Sequence, residues 1–188
     1  MSASRVGRPR SERARLAVLQ ATRDLVLAHG YEAVTLVEIA AAAEVGRQTI
    51  YRWWRSKEAL VADAVLEQTL SLDPRVVTPS GDLSRDLHEW VEDSIARMAD
   101  SDAAALYRAL LAASAVDDAA AARMTAAFSD PLRAAVTAAF ESTGRGRYAD
   151  VAADVLIGVM LNAIVTRDTP ARERIGVVVD VLVRGTAE

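Results

Sequence analysis

The sequence predicts an all-α fold, on three observations. Apolar residues recur at helical spacing along most of the 188 residues, and helix-capping signals separate the periodic segments. Residues 177–183, VVVDVLV, have the β-branched composition of a strand, but no second segment offers a partner. Because a lone strand would leave its backbone amides and carbonyls unpaired, this segment is predicted to be helical as well.

The first helix is predicted over residues 11–29. Its apolar stripe is followed by Gly30, at the position where helices favour a left-handed C-terminal cap. The stripe consists of Val18, Ala21, Thr22, Leu25 and Val26. The pattern therefore indicates both a buried face and a C-terminal end.

Two short helices and a longer one are predicted next. Thr35 and Glu38 have the spacing of a capping box, in which the threonine oxygen accepts from the Glu38 amide and the glutamate accepts from the Thr35 amide. The second helix then covers about residues 36–43, a break covers residues 44–46, and the third helix covers about residues 47–54. Ser56 is predicted to cap a fourth helix that ends near residue 72.

A linker is predicted at residues 71–84, SLDPRVVTPSGDLS, which contain two prolines and a glycine. The predicted divisions are a basic arm (1–10), a helix-turn-helix domain (11–56), a connecting helix and linker (57–78) and a C-terminal helical domain (79–188). The helices of the C-terminal domain are predicted near residues 82–100, 103–115, 118–128, 131–142, 148–166 and 171–184. A Gly-Arg-Gly break at residues 144–146 precedes the last two.

Composition excludes several classes of function. The chain has no cysteine, which excludes disulfides, thiolate zinc sites and thiol nucleophiles and is consistent with a cytoplasmic location. The longest mostly apolar run, residues 155–165, contains Asn162 and is shorter than the roughly 20 residues that a bilayer requires, so no membrane span is predicted.

Residues 1–60 carry ten Arg and Lys against six Asp and Glu, whereas the rest is acidic. A basic N-terminal unit suits nucleic acid, although charge alone is equally compatible with an accident of composition.

The third helix has two chemically different sides. At about 100° per residue, Ile50 and Trp54 share one side, whereas Gln48, Arg52 and Arg55 centre on the other. Two short helices joined by a tight turn after a longer helix form a helix-turn-helix, whose second short helix enters the DNA major groove. Trp54 is predicted to be a buried anchor, since its indole is too large an apolar surface to leave in water.

Residues 27–60, LAHGYEAVTLVEIAAAAEVGRQTIYRWWRSKEAL, closely resemble the N-terminal domain of TetR-family (tetracycline-repressor-like) transcriptional regulators. The matched motifs are Gly30-Tyr31, Thr35, Ile39-Ala40, Thr49-Ile50-Tyr51, Trp53-Trp54 and Ser56-Lys57-Glu58-Ala59-Leu60. The resemblance implies a ligand-responsive repressor, not an enzyme, that binds a palindromic operator as a homodimer. It also implies a C-terminal domain that binds the ligand and dimerises.

The resemblance further implies which residues contact double-stranded DNA. Arg47 and Gln48 lie where the family recognises bases, and Thr49 lies where a phosphate or a thymine methyl is within reach. The other implied contacts are Thr35, Gly46, Tyr51, Arg52, Trp53 and Lys57. Thr35 and Lys57 begin helices, whose free amides and partial positive charge attract phosphate. The resemblance also implies that Arg8 and Arg10 of the arm either enter the neighbouring minor groove or add positive charge.

The turn before the third helix departs from the family pattern. The family usually has Gly-Val-Ser where this chain has Glu44-Val45-Gly46. Glycine is a tolerated N-cap that costs a few tenths of a kcal/mol relative to serine. Glu44 is harder to accommodate, because it places a carboxylate in a tight turn near phosphates.

The C-terminal part has no enzyme signature. Residues 88–92, HEWVE, begin like a zinc-hydrolase motif but have Glu92 in place of the second histidine, so a solvated helix face is favoured over a metal shared by His88 and Glu92. The resemblance implies an unidentified small-molecule effector, no cofactor and a homodimer formed by the last two long helices. Candidate pocket residues, each also compatible with ordinary core packing, are Trp90, Met98, Tyr107, Met124, Phe128, Met160 and Asn162. The residues leave open a different class, a helical enzyme or adaptor whose basic unit binds RNA or a protein.

Overall fold

The computed structural model describes residues 7–69, 79–98, 101–166 and 171–186, and for residues 7–11, 68–69, 97–98 and 171–172 it describes the backbone only. These residues form helices, turns and loops and no strand, which confirms the all-α prediction. Ten α-helices lie in this part of the chain: α1 Gly7–His29, α2 Leu36–Ala42, α3 Arg47–Trp53, α4 Lys57–Thr69, α5 Leu83–Met98, α6 Ser101–Ser114, α7 Asp118–Met124, α8 Asp130–Ser142, α9 Ala149–Thr166 and α10 Ala171–Gly185. Residues 177–183 lie within α10, so their predicted helical state is confirmed.

The chain folds into two compact units, and it passes between them more than once. The first unit comprises Met1–Ser71 and Ala105–Met124, and the second comprises Leu72–Ala104 and Thr125–Glu188. Residues 71–78 of the predicted linker lie outside the described residues. Residues 105–124 lie within the predicted C-terminal domain (79–188), and in the structure they pack with the N-terminal residues of the first unit.

The first unit is organised around α1 and α4. Helix α1 packs against α2 and α4, α2 packs against α3, and α4 packs against α7. Val18, Ile39, Ile50 and Leu60 bring one fully buried side chain each from α1, α2, α3 and α4. Burying a side chain of this size contributes about 1.5–3 kcal/mol. Because helices as short as α2 and α3 are not stable alone, this packing is what holds them in place.

Two helix boundaries differ from the sequence predictions, and a proline is involved in both. Helix α1 begins at Gly7 rather than at residue 11, with Pro9 in its first turn. The helices predicted at 118–128 and 131–142 are joined by a π-helical turn, Thr125–Ser129, with Pro131 in the first turn of α8. Proline is tolerated in a first turn because the amide that it lacks has no partner within the helix there.

Two other boundaries agree with their capping signals. Gly30 ends α1 with a left-handed φ of 81°, and its amide donates to the Val26 carbonyl at 2.9 Å. The Ser56 hydroxyl oxygen accepts from the Ala59 amide at 3.0 Å, as the predicted N-cap of the fourth helix requires. Local side-chain chemistry therefore determines both of these ends.

The second unit is built from four helices around one apolar core. Helix α8 packs against α5 and α9, and α10 packs against α5 and α9. Leu87, Phe140, Leu156 and Ile175 supply a fully buried side chain from each of the four helices. Tight packing of this kind makes the four helices mutually dependent for stability.

The long helix of the second unit is more apolar than the sequence analysis indicated. The helical stretch Gly146–Thr166, a 3₁₀ turn followed by α9, spans 21 residues and is apolar enough that by length and composition alone it could cross a bilayer. The apolar run taken from the sequence covers only residues 155–165 and leaves out the alanines and the valine that precede them. One side of α9 packs into the core through Ala152, Leu156 and Met160, as in a core helix of a globular protein. Of the most apolar 18 residues of this stretch, only 33% are buried.

Candidate nucleic-acid interface

The turn between α2 and α3 is closed by two backbone hydrogen bonds. The Glu44 amide donates to the Ala41 carbonyl at 3.2 Å, and the Val45 amide donates to the Ala40 carbonyl at 3.0 Å. This pair of bonds is the Schellman pattern, in which the residue after the C-cap takes left-handed backbone angles. That residue is Glu44, with a φ of 53°. The unfavourable glutamate of the turn therefore occupies the position that most favours glycine.

Helix α3 starts directly after this turn and presents its first residues outward. Its N-cap, Gly46, has an extended backbone and no side chain to accept a hydrogen bond, and the Thr49 amide donates to the Gly46 carbonyl at 2.8 Å. Arg47 and Gln48 are exposed, and Thr49 is half-buried. The first turn of α3 thus offers a guanidinium, an amide and a hydroxyl on an accessible surface.

The opposite side of α3 is buried, as its two-sided pattern predicts. Ile50 is fully buried, and Trp54, the C-cap residue of α3, is 3% exposed. The Trp54 indole Nε1–H donates to Asp63 Oδ2 of α4 at 2.7 Å. Sequence reasoning missed Asp63, although a buried indole N–H usually finds an acceptor and such a partner could have been sought on the next helix.

The two tryptophan rings at the end of α3 and the neighbouring Arg52 are in contact with one another. The Trp53 ring meets Trp54 edge-on with centroids 5.5 Å apart, and the Arg52 guanidinium lies 5.0 Å from the Trp53 ring centroid. Tyr51, the preceding residue, is 56% exposed. A ring held between a buried neighbour and a cation has little freedom to move, so Arg52 and Trp53 are positioned together.

The N-terminus of α2 carries the full capping box that the sequence predicts. The Thr35 hydroxyl accepts from the Glu38 amide at 3.3 Å, and Glu38 Oε2 accepts from the Thr35 amide at 2.9 Å and from its hydroxyl at 2.8 Å. The bonds from the Thr35 hydroxyl and amide lower the pKa of Glu38. The exposed Thr35 therefore lies beside a carboxylate that is ionised at neutral pH.

Lys57, at the start of α4, is already engaged within the protein. Its ammonium donates to the Tyr31 carbonyl at 3.1 Å and lies 4.3 Å from the Tyr31 ring centroid. The Tyr31 hydroxyl donates to Glu58 at 3.0 Å, and burial together with this bond raises the pKa of Tyr31. Because an ammonium has three donors, this arrangement fixes the Lys57 charge and leaves donors for an anion.

The arm residues and one pocket candidate fall partly outside the described part of the structure. Arg8 and Arg10 lie in the first turn of α1, so the last residues of the predicted arm are helical, but their side chains are outside the described residues. The side chain of Met98, at the end of α5, is outside them as well.

The remaining pocket candidates are divided between the two units. Trp90 and Met160 pack into the apolar core of the second unit, where Phe128 is half-buried in the π-helical turn. In the first unit, Tyr107 is buried, which raises its pKa to about 12, and Met124 is half-buried.

Asn162 differs from the other candidates because its side chain is exposed on α9. The sequence makes Asn162 a candidate polar contact of a pocket, whereas the structure places this side chain at the surface. Met160 and Ile164 lie on the buried side of α9, and residue 162 therefore lies on the opposite side of the helix.

His88 makes contacts within its own unit. Its Nδ1 lies 2.8 Å from the Ser84 carbonyl oxygen, and its Nε2 lies 3.6 Å from Asp180 Oδ1 of α10. Across the described ranges, no three His, Cys, Asp or Glu side chains are grouped as a metal site would require.

Family models match both parts of the chain. The model of bacterial regulatory proteins of the tetR family matches residues 18–64, and the model of the tetracycline-repressor-like C-terminal domain matches residues 77–182. An uncharacterised HTH-type transcriptional regulator, YdeS of Bacillus subtilis (strain 168), is 33% identical over 130 residues. The match covers 69% of this chain and 64% of YdeS, so this chain spans slightly less than two thirds of that relative.

Solved structures have the same fold. A protein of Pseudomonas aeruginosa PAO1, solved as a transcriptional regulator, matches with a TM-score of 0.68 and 21% identity over 96% of this chain and 93% of the other. The regulator FadR of B. subtilis, solved in complex with stearoyl-CoA, matches with a TM-score of 0.65 and 16% identity over 90% of this chain and 98% of the other. At these identities, the likeness is one of fold.

Proposed function

Since the chain belongs to the TetR family of bacterial transcriptional regulators, whose N-terminal model it matches over the helix-turn-helix, we propose that it is a ligand-responsive repressor that binds a palindromic DNA operator as a homodimer. The observation that carries the proposal is α3. A seven-residue helix buries Ile50 and Trp54 on one side and leaves Arg47, Gln48 and Tyr51 accessible on the other. A helix anchored in this way can enter a major groove without losing its packing.

The exposed groups fall into two chemical classes. Arg47 and Gln48 can each form paired hydrogen bonds with a base edge, arginine with guanine and glutamine with adenine. Contacts with the DNA backbone are proposed for the side chains of Thr35, Tyr51, Arg52, Trp53 and Lys57 and for the amide of Gly46. Thr49 fits either class. Phosphate contacts fix the register of the protein on the duplex, whereas base contacts select the sequence.

We propose the exposed face of α9 and α10 as the homodimer interface. Val151, Val155, Gly158, Asn162 and Val165 are all exposed on α9 and are spaced alternately four and three residues apart, which is the spacing of a helix-packing seam. On α10, Val177 and Val181 are 61% and 64% exposed. A second copy would remove this apolar surface from water.

Two residues of this face suit a close and specific contact between copies. Apart from the adjoining residues and the backbone of α9 itself, no atom of the described residues lies within 4 Å of the position that a Cβ would occupy on Gly158, so the surface there is open for another helix. Asn162 is the polar member of the seam. A single amide at such a position fixes register at some cost in stability, because it must face another polar group.

The effector is proposed to bind in the C-terminal part and to favour a spacing of the two DNA-binding heads that does not fit the operator. Such an effector must bind one spacing more tightly than the other, since equal affinity shifts nothing. The complex of B. subtilis FadR with stearoyl-CoA supports a search among acyl compounds as well as other small molecules. The proposed role is binding, not catalysis, in the cytoplasm where the DNA lies.

Fluorescence anisotropy with DNA from both sides of its own gene tests the proposal. We expect one duplex to bind selectively, with an affinity that falls with salt by a log–log slope of about 0.9 for each neutralised phosphate. An RNA of the same sequence serves as the competitor. Equal binding to scrambled duplexes, or displacement by the RNA, would contradict a sequence-specific DNA regulator.

A further inference from the structure

The carboxylate of Asp63 joins the end of the recognition helix α3 to α7. Its Oδ2 accepts from the Trp54 indole at 2.7 Å, and its Oδ1 accepts from Arg123 Nη1 at 2.6 Å. Arg123 Nη1 also lies 3.4 Å from the Ala59 carbonyl oxygen. One carboxylate on α4 thus holds a group from each of two other elements of the same unit.

Helices α4 and α7 are joined a second time at their N-termini. Ser56 is the N-cap residue of α4, and Asp117 caps α7 by accepting from the Ala120 amide at 2.8 Å. The Ser56 hydroxyl donates to Asp117 Oδ2 at 3.0 Å, so the two capping side chains are bonded to each other. With Asp63–Arg123 near the other end, α7 is fixed to α4 at both ends.

Helix α3 depends on few anchors. It has seven residues, and its buried side chains are Ile50 and, at the C-cap, Trp54. The orientation of so short a helix is determined by its tertiary contacts rather than by its own stability. The bond to Asp63 adds a directional constraint to this packing, because it favours the orientation in which the indole N–H points at the carboxylate.

We propose that Asp63 is a positioning residue for DNA recognition, which fixes Trp54 and thereby the angle at which α3 meets the duplex, and that Arg123 holds Asp63 in place. The proposal rests on the proposed function, because it concerns the accuracy with which α3 recognises bases. It also gives α7 a role. Met124, the last residue of α7, is followed directly by Thr125 of the second unit, so a change in α7 would reach α3 through Arg123 and Asp63.

The test is a double-mutant cycle on selectivity. The probes are a duplex selected by the wild-type protein from a random pool and a scrambled duplex of the same composition. In Asp63→Ala, we expect the affinity ratio between the two duplexes to fall roughly tenfold, the size expected when a hydrogen bond to a charged group is lost. In a Trp54→Phe background, Asp63→Ala should change the ratio no further, because the indole donor is already absent.

Two further variants separate positioning from general stability. Asp63→Glu keeps the carboxylate that accepts from the indole and pairs with Arg123, and should retain most of the selectivity. Glu67→Ala, on the same helix, removes an ion pair with Arg15 but has no part in the contact with Trp54, so it should change the ratio by less than about twofold, as for an exposed pair. Thermal unfolding of every variant provides the comparison with stability.

The outcomes are distinct. A wild-type protein that does not distinguish the duplexes would overturn the proposed function and this proposal together. A selective wild type with an unchanged ratio in Asp63→Ala, or an equal loss from Asp63→Ala in the Trp54→Phe background, would overturn the positioning role alone. If Asp63→Ala does not fold, a large loss of selectivity in a folded Asp63→Glu protein would also overturn it.

Discussion

The Val45 amide donates to the Ala40 carbonyl at 3.0 Å and so closes the end of α2 around Glu44. This bond requires the left-handed backbone that Glu44 adopts, with a φ of 53°. A residue with a Cβ is strained in that region, by about 1–2 kcal/mol relative to its preferred angles. The turn that orients α3 is therefore formed against the preference of its central residue.

We predict that Glu44→Gly stabilises the protein by about 1 kcal/mol, because glycine adopts these angles without strain. It should also strengthen binding to every duplex by removing a negative charge close to the proposed phosphate contacts. Thermal unfolding and anisotropy in low salt measure the two effects. Glu44→Gln is the matched control, which removes the charge and keeps the strain. A loss of stability in Glu44→Gly would contradict the strain at this position.

Arg47→Ala and Gln48→Ala should each alter the preferred bases at one position of the half-site, by about 1–3 kcal/mol of discrimination. The physical reason is that both side chains are exposed in the first turn of α3. Selection of duplexes from a random pool by each variant measures the change. Tyr51→Phe is the control, since the loss of a hydroxyl contact to phosphate should weaken all sequences alike. An unchanged preference in both alanine variants would refute the assignment of base contacts.

Features that depend on neighbours in sequence are the ones that the sequence predicts well. The Thr35–Glu38 box, the end of α1 at Gly30 and the burial of Trp54 all follow from side chains within one or two helical turns. Partners across helices are harder to predict, because they depend on how helices cross. For that reason Asp63 was missed as the acceptor of Trp54.

The packing of residues 105–124 with the N-terminal unit was missed for the same reason. Composition marks a linker near residue 71 and offers no sign that a later helix packs back against α4. Asn162 illustrates a further limit. A polar residue in an apolar helix suits a pocket or a subunit contact equally well, and only the register of α9 shows that it faces outward.

The proposed dimer interface predicts opposite effects of one substitution on folding and on assembly. Gly158→Leu should leave the protomer at least as stable, because the position is exposed, has space for a Cβ and gains most of the roughly 0.8–1 kcal/mol of helix propensity that separates alanine from glycine. It should nevertheless weaken dimerisation by blocking the close approach of a second helix. Light scattering after gel filtration measures the mass. Ala96→Leu, which adds the same side chain to an accessible position of α5, should remain dimeric. A fully dimeric Gly158→Leu protein would place the interface elsewhere.

The bond between the caps of α4 and α7 predicts how stability depends on pH. The Ala120 amide and the Ser56 hydroxyl both donate to Asp117 and lower its pKa below the ordinary value of 3.8. A carboxylate whose pKa is depressed by folding contributes stability above its unfolded pKa, and loses that contribution as the pH falls through the folded value.

Asp117→Asn should therefore destabilise the protein at neutral pH and make the loss of stability in acid less steep. Ser56→Ala should flatten the acid slope more weakly, since the Ala120 bond remains, and it should also lower stability at every pH because it removes the N-cap of α4. Melting temperatures measured from neutral pH down to about pH 3 reveal the slope, with Asp118→Asn, in the first turn of the same helix, as the control. Parallel curves for the wild type and Asp117→Asn would show that the ionisation of Asp117 does not contribute to stability.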